Sequence, residues 1–178
     1  MCGGALVSPR VVLTAFHCTH HTADKERKPC DHSDEKRLAV LGRHEFEMHK
    51  LREYTTIPII KVLTPENGGL TVGHKNSHDF ALLVLKERAK YTPAIGPICL
   101  PEPNAEFGGK KATAAGWGRT DKPSVSRIQS PVLKKVELTV SNKSYWHHNM
   151  FGTLVSKKDN LYQDPCSGDS GRIHIYIF

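Results

Sequence analysis

The sequence predicts an all-β protein, either a barrel or a sandwich, and three observations support this. Short β-prone runs alternate with turn-rich stretches such as PENGG, PEPNAEFGG and DKPSVS. The 14 glycines and 11 prolines supply the residues that tight turns need. No long amphipathic pattern with helical spacing runs through the 178 residues.

The predicted elements can be justified in chain order. GALV and VVLTA form a hairpin, since the SPR between them has proline at the second position of a turn. Ser141 is the predicted N-cap of a short helix over SNKSYWHHNMF. The hydrophilic stretch Thr19–Lys36 is a predicted surface loop, and loops of that length usually serve a purpose. The remaining strands are predicted at RLAVLG, YTTIPIIKVL, FALLVLK, KKATAAGWG and LKKVELTV.

Composition and charge exclude several classes of protein. The formal net charge is +7, but the basic residues are spread along the chain without a concentrated stripe. A basic soluble surface is therefore predicted, and no nucleic-acid partner. No run reaches the 18 or so apolar residues that a membrane helix needs, so no membrane partner is predicted. MCGGALVSPR has no signal-peptide pattern, so a secreted protein would have lost its targeting segment or be recorded incompletely.

Cysteine spacing favours disulfide bonds over a metal site. The five cysteines lie at positions 2, 18, 30, 99 and 166, with no CxxC pair. An odd count implies a missing partner, a free thiol or a bond to another chain, and Cys30 could pair with any cysteine left over or with none. The spacing of Glu45 and Glu47 does not fit a calcium loop, and no metal is predicted.

Three short stretches carry residues suited to nucleophilic catalysis. They are LTAFHC with His17, HDFALLVL with Asp79, and CSGDSG with Ser170. A serine hydroxyl is a weak nucleophile at neutral pH unless a base lies within hydrogen-bond reach. The base in turn needs an acceptor that fixes its tautomer and stabilises its charged form. The order His, Asp, Ser is the chain order of chymotrypsin-like enzymes.

These stretches resemble the trypsin-like serine endopeptidases of chymotrypsin fold, peptidase family S1. The resemblance extends to CGGALVSPRVVLTAFHC, PICLP, AGWGRT, SPVLKKVELTV and DPCSGDSG. The resemblance implies a two-lobed double β-barrel and a single peptidase domain over residues 1–178. Roughly residues 1–95 would form the first barrel and roughly 96–178 a partial second barrel. The first strand and much of the second barrel would be missing, so the domain would be truncated at both ends. The enlarged Thr19–Lys36 loop resembles those of arthropod clip-domain proteases.

The resemblance also implies roles for the site residues. His17 would be the general base, Asp79 would orient it, and Ser170 would attack the peptide carbonyl. The amides of Gly168 and Ser170 would form the oxyanion hole. Asp164 would form the floor of the primary pocket, which implies cleavage after Arg or Lys.

Further residues have structural roles by the same resemblance. Cys2 and Cys18 match the family disulfide beside the histidine. Asp169 matches the aspartate that pairs with the freed amino terminus of an activated enzyme. Cys99 matches a cysteine that bonds to an upstream segment, and Cys166 one whose partner lies downstream of the nucleophile.

The resemblance implies a secreted, extracellular enzyme that acts on proteins or peptides without a cofactor and meets serpin-type inhibitors. One alternative is a non-catalytic or truncated protease-like binding or regulatory protein. The family continues GDSGGP, whereas this chain reads GDSGRIHIYIF, and this difference argues for the alternative. The presence of His17, Asp79 and Ser170 argues against it. A basic nucleic-acid binder rests on charge alone.

Overall fold

A computed structural model describes the backbone of residues 2–19, 37–45, 54–64, 79–118 and 130–144, and of four short strands beyond them. Side chains are described as far as residue 141. The described chain is almost entirely β, as the sequence predicts, and its only helical element is a single 3-10 turn at Phe16–Thr19. The strands are β1 Ala5–Ser8, β2 Val11–Thr14, β3 Leu38–Leu41, β4 Thr55–Leu63, β5 Ala81–Leu85, β6 Lys111–Gly116, β7 Lys134–Ser144, β8 Phe151–Leu154, β9 Ser156–Lys158, β10 Leu161–Gln163 and β11 Tyr176–Ile177.

The first five strands form one antiparallel sheet in the order β1-β2-β5-β4-β3. The predicted hairpin is present, with Ala5 opposite Leu13 and Leu6 opposite Val12. Strand β5 lies between β2 and β4, so the sheet order departs from the chain order. A bulge between Ile59 and Lys61 interrupts the pairing of β4 with β5.

Alternating residues of this sheet form the hydrophobic core. Leu85 is fully buried, and Leu6, Val12 and Ile57 pack in the same cluster. Because successive side chains of a strand point to opposite faces, this spacing leaves the other face of each strand for polar or half-exposed residues. The cluster is completed by Ala89 and Ile95, with Ala39, Leu41, Ile59 and Leu83 packed against it.

A second antiparallel sheet has the order β11-β6-β7-β8, and β9 pairs with β10. The helix predicted from Ser141 is wrong over its first four residues, because β7 continues through Ser144. The local preference for a cap gives way to strand pairing, since Val140 pairs with Thr153 and Ser144 with Phe151. The side chain of Ser141 is buried rather than exposed at a helix end.

The two sheets meet at the carbonyl oxygen of His44. It accepts hydrogen bonds from the Nε1 of Trp117 at 2.8 Å and from the backbone N–H of Leu133 at 2.9 Å. Next to this point, Glu45 forms an isolated antiparallel bridge with Val132. One carbonyl therefore ties the end of β3 to both β6 and β7.

Gly42 lies at this junction with a φ of 76°, a conformation that L side chains rarely adopt. A Cβ there would also lie 2.9 Å from Cγ1 of Ile95. We expect Gly42→Ala to lower the free energy of unfolding by about 1–3 kcal/mol. Gly96→Ala is the matched control, because a Cβ at that position meets nothing within 4 Å. Chemical denaturation of both variants tests this, and an equal effect of the two would contradict it.

No helix in the described ranges combines the length and the hydropathy that crossing a membrane requires. The division of the chain into two barrels near residue 95 stays a prediction.

Candidate active site

A short turn after β2 positions His17. Strand β2 ends at Thr14, and the 3-10 turn begins two residues later at Phe16. The backbone N–H of Cys18 donates to the carbonyl of Ala15 at 3.1 Å. The hydroxyl of Thr19 donates to the carbonyl of Phe16 at 2.8 Å, which closes the turn on its other side. The His17 backbone is thus held from both neighbours.

A disulfide bond between Cys2 and Cys18 joins this turn to the start of the chain, with 5.9 Å between their Cα atoms. This is the pair that the family resemblance implies. The hydroxyl of Thr14 adds a second tie, since it donates to the carbonyl of Gly3 at 2.7 Å. Thr14 was not among the predicted site residues. The sequence feature that could have identified Thr14 is weak: it is a threonine two residues after buried Val12, on the same face of the strand.

The register of β2 and β5 brings Asp79 to His17. Thr14 lies directly opposite Ala81, which is fully buried. His17 follows Thr14 by three residues, and Asp79 precedes Ala81 by two. Because the strands are antiparallel, both residues emerge from the same end of the strand pair.

The carboxylate of Asp79 makes two hydrogen bonds to His17. Its Oδ2 lies 2.7 Å from the ring nitrogen Nδ1, and its Oδ1 accepts the backbone N–H at 2.8 Å. An ionised carboxylate can only accept hydrogen bonds. The proton of a neutral imidazole must therefore reside on Nδ1, which leaves the lone pair on Nε2. This is the tautomer that a general base acting through Nε2 needs.

The pair is accessible at the protein surface. The side chain of His17 is 51% exposed and that of Asp79 is 47% exposed. At such exposure the contact is screened by water and adds little to stability. Its value lies in fixing the orientation of the ring.

The remaining predicted site residues lie outside the described residues of the structure. They are Asp164, Gly168, Asp169 and Ser170, and Cys30 and Cys166 lie outside as well. Cys99 is described, and its thiol is exposed and not disulfide-bonded.

Potential metal ligands also meet near the turn. The sulfur atoms of Cys2 and Cys18 and a ring nitrogen of His17 lie within 4.8 Å of one another. The sulfurs are bonded to each other, however, and a metal ligand has to be a thiolate. With Nδ1 held by Asp79, this cluster fits a disulfide beside a histidine rather than a metal centre.

Comparison with known proteins decides the family. The trypsin family model matches residues 1–172. The chain belongs to the trypsin family of serine proteases. Mouse granzyme F is 31% identical over 176 residues, which cover 96% of this chain and 63% of granzyme F. CLIP domain-containing serine protease B8 of Anopheles gambiae is 28% identical over 197 residues, which cover 96% of this chain and 46% of that protein.

The fold agrees with this membership. A mutant of human heparin binding protein matches with a TM-score of 0.74 and 25% identity, covering 99% of this chain and 69% of that chain. The fold is therefore chymotrypsin-like, as the resemblance implies. The chain spans about half to two thirds of the length of the two trypsin-family relatives named above.

Proposed function

We propose that this trypsin-family chain carries the catalytic residues of a serine endopeptidase that cleaves after Arg or Lys. The observation that supports this most is the doubly bonded pair of His17 and Asp79, with Nδ1 and Oδ2 2.7 Å apart. One carboxylate accepts two hydrogen bonds, one from the ring and one from the backbone N–H of the same residue. Such an orienting carboxylate is what a histidine base requires in acyl transfer.

In this mechanism Ser170 is the nucleophile. Nε2 of His17 removes the hydroxyl proton as Oγ bonds to the peptide carbonyl carbon, and Asp79 stabilises the imidazolium that forms. The imidazolium then gives its proton to the leaving amine as the C–N bond breaks. Water, deprotonated by the same nitrogen, attacks the acyl-enzyme and releases the acid product and Ser170.

The amides of Gly168 and Ser170 stabilise the negative charge that develops on the carbonyl oxygen. Losing one such donor costs about 3 kcal/mol of barrier in comparable enzymes. Asp164 pairs with the substrate Arg or Lys at the floor of the pocket, where a desolvated carboxylate binds a guanidinium strongly. Asp169 has the structural role of pairing with a freed amino terminus.

The proposed setting is extracellular. A disulfide between Cys2 and Cys18 suits an oxidising compartment. Protein or peptide substrates follow from the protease family, and serpin-type inhibitors would occupy the same site. The exposed thiol of Cys99 is available for a bond to an upstream segment.

A fluorophosphonate probe tests the proposal on the full chain. We expect covalent labelling that mass spectrometry assigns to Ser170, with no labelling of the Ser170→Ala variant. Ser167→Ala is the matched control, since it removes a neighbouring serine from the same stretch and should keep labelling. Folded, monodisperse protein that resists the probe would contradict the proposal.

The second candidate function is a non-catalytic protease-like binding protein. The observation that favours it is the structural match to a protein named for binding heparin. The same experiment separates the two, because a binding module would be folded yet unlabelled.

A further inference from the structure

Basic side chains that are scattered along the sequence lie together at one end of the five-stranded sheet. We call this group the basic rim: Arg10, Lys61, Lys86, Arg88 and Lys90, all exposed. Their positions in the chain differ by up to 80 residues, so no linear pattern reveals the group. The sheet topology assembles it.

Arg10 and Lys86 are joined through the end of β5. The guanidinium of Arg10 donates from Nε to the carbonyl of Leu85 at 3.2 Å and from Nη2 to that of Lys86 at 3.2 Å. The backbone N–H of Lys86 donates to the carbonyl of Pro58 on β4 at 2.8 Å. These bonds fix both residues at the strand end.

Arg88 and Lys90 flank a residue that is held in the core. Ala89 between them is 6% exposed, and its N–H donates to the carbonyl of Pro9 at 2.7 Å. Since Ala89 is fixed inward beside the β1–β2 turn, its two charged neighbours are left exposed near Arg10.

Lys61 enters the rim through strand register. It lies opposite Val84, and Val84 is also opposite Val11 on the other side. Neighbouring strands are about 4.8 Å apart, so Lys61 lies close to the end of β5 where Lys86 follows.

Within the described ranges of the chain, no acidic side chain forms an ion pair with a residue of the rim. The stretch 86–90 contains one acidic residue, Glu87, against three basic ones, and Arg10 and Lys61 join it from other parts of the chain. Ion pairs of the described side chains join His17 to Asp79 and Lys111 to Glu137, and neither pair involves the rim. Like charges held together repel, and an anionic partner would relieve this repulsion.

Exposed apolar side chains accompany the charges. Ile60, next to Lys61, is 53% exposed, and Tyr91, next to Lys90, is 45% exposed. Leu38 is 52% exposed and lies opposite Pro58, whose carbonyl binds Lys86. The rim therefore combines cations with large apolar groups. Such a surface fits a peptide with acidic and apolar residues better than it fits a polyanion that has no apolar side chains.

The rim and the candidate catalytic pair lie at opposite ends of the β2–β5 pair. Thr14 and Ala81 mark the end near His17, whereas Val11 and Val84 mark the other end. Three residues along each strand separate these two ends, which corresponds to about 10 Å at the usual rise of a strand. A partner on the rim therefore leaves His17 accessible.

We propose that the basic rim is a docking surface for an acidic peptide segment of a partner protein, with apolar residues interspersed among the acids. Binding here is independent of catalysis, because no residue of the rim belongs to the proposed triad. An extended segment along the strand end would place carboxylates against the cations and apolar side chains against Ile60, Leu38 and Tyr91.

The test is fluorescence anisotropy with the full chain and a short labelled peptide in which glutamate alternates with leucine and tyrosine. A second peptide of the same charge has serine in place of the apolar residues. The rim variant is Arg88→Glu with Lys90→Glu. The matched control is Lys134→Glu with Lys135→Glu, which makes the same charge change at exposed positions of β7.

We expect the rim variant to weaken binding of the apolar peptide at least about tenfold and the control variant less than about twofold. We also expect Ile60→Thr to weaken the apolar peptide and leave binding of the serine peptide unchanged. Equal losses in the rim and control variants would assign binding to net charge and overturn the proposal. Equal affinity for the two peptides, or rim-dependent binding of a heparin oligosaccharide without peptide binding, would overturn it as well.

Discussion

Asp79→Asn is expected to lower kcat/KM for a peptide ester with arginine before the cleaved bond by about 10⁴-fold. The reason lies in the two hydrogen bonds to His17. The backbone N–H at Oδ1 requires an acceptor there, so the new amide must turn its NH₂ group toward Nδ1. Nδ1 would then accept a hydrogen bond, and the ring proton would move to Nε2. A histidine in that tautomer cannot take the proton of Ser170.

The variant should remain folded, because an amide can replace the carboxylate in both contacts. Thermal unfolding measured beside the activity assay therefore separates a tautomer effect from a folding defect. The matched control is Lys111→Gln, which removes one member of an exposed ion pair between β6 and β7 of the second sheet and should leave activity unchanged. A loss of less than about tenfold for Asp79→Asn would sink the proposed role of this carboxylate.

Removing the disulfide, by Cys2→Ser with Cys18→Ser, is expected to destabilise the protein by about 3 kcal/mol. The bond closes a loop between residues 16 positions apart, so its loss restores conformational entropy to the unfolded chain. For a protein of this size the midpoint of thermal unfolding should fall by about 6–12 °C. Calorimetry of the variant measures both quantities.

The matched control is Cys99→Ser, which removes an exposed thiol that is not disulfide-bonded. It should leave the unfolding midpoint unchanged. We also expect the double serine variant to lose activity below its unfolding temperature, because Cys18 directly follows His17 in the turn. Full activity in the folded double variant would show that the turn is held by Thr14 and Thr19 alone.

The sequence was sufficient to locate strands but not to pair all of them. Each β-prone run up to residue 140 coincides with a strand, since apolar alternation and turn residues are local signals. The insertion of β5 between β2 and β4 is not local, because it depends on which buried faces fit together. Ser141 shows the opposite error, where a local capping preference was overridden by pairing of β7 with β8.

The sequence predicts which residues belong to the candidate site, and the structure adds the distances and hydrogen bonds between two of them, His17 and Asp79. His17 and Asp79 were identified by the stretches around them, and they lie in hydrogen-bond contact. The second bond, from the backbone of His17 to Oδ1, involves a group that every residue carries and has no sequence signal. The basic rim was missed for a related reason. Its five cations come from three separate parts of the chain, and the sequence suggested only an evenly basic surface.

The hydrogen bond from Trp117 to the carbonyl of His44 joins the two sheets, and its two positions differ in how freely their residues can change in evolution. The acceptor at position 44 is a main-chain oxygen, which any replacement of His44 would preserve. The donor at position 117 is the indole N–H of a side chain, and a replacement that carries no side-chain N–H would lose it. Divergent relatives can therefore change the residue at position 44 and keep the hydrogen bond. Loss of the side-chain N–H at position 117 removes a contact between the two sheets.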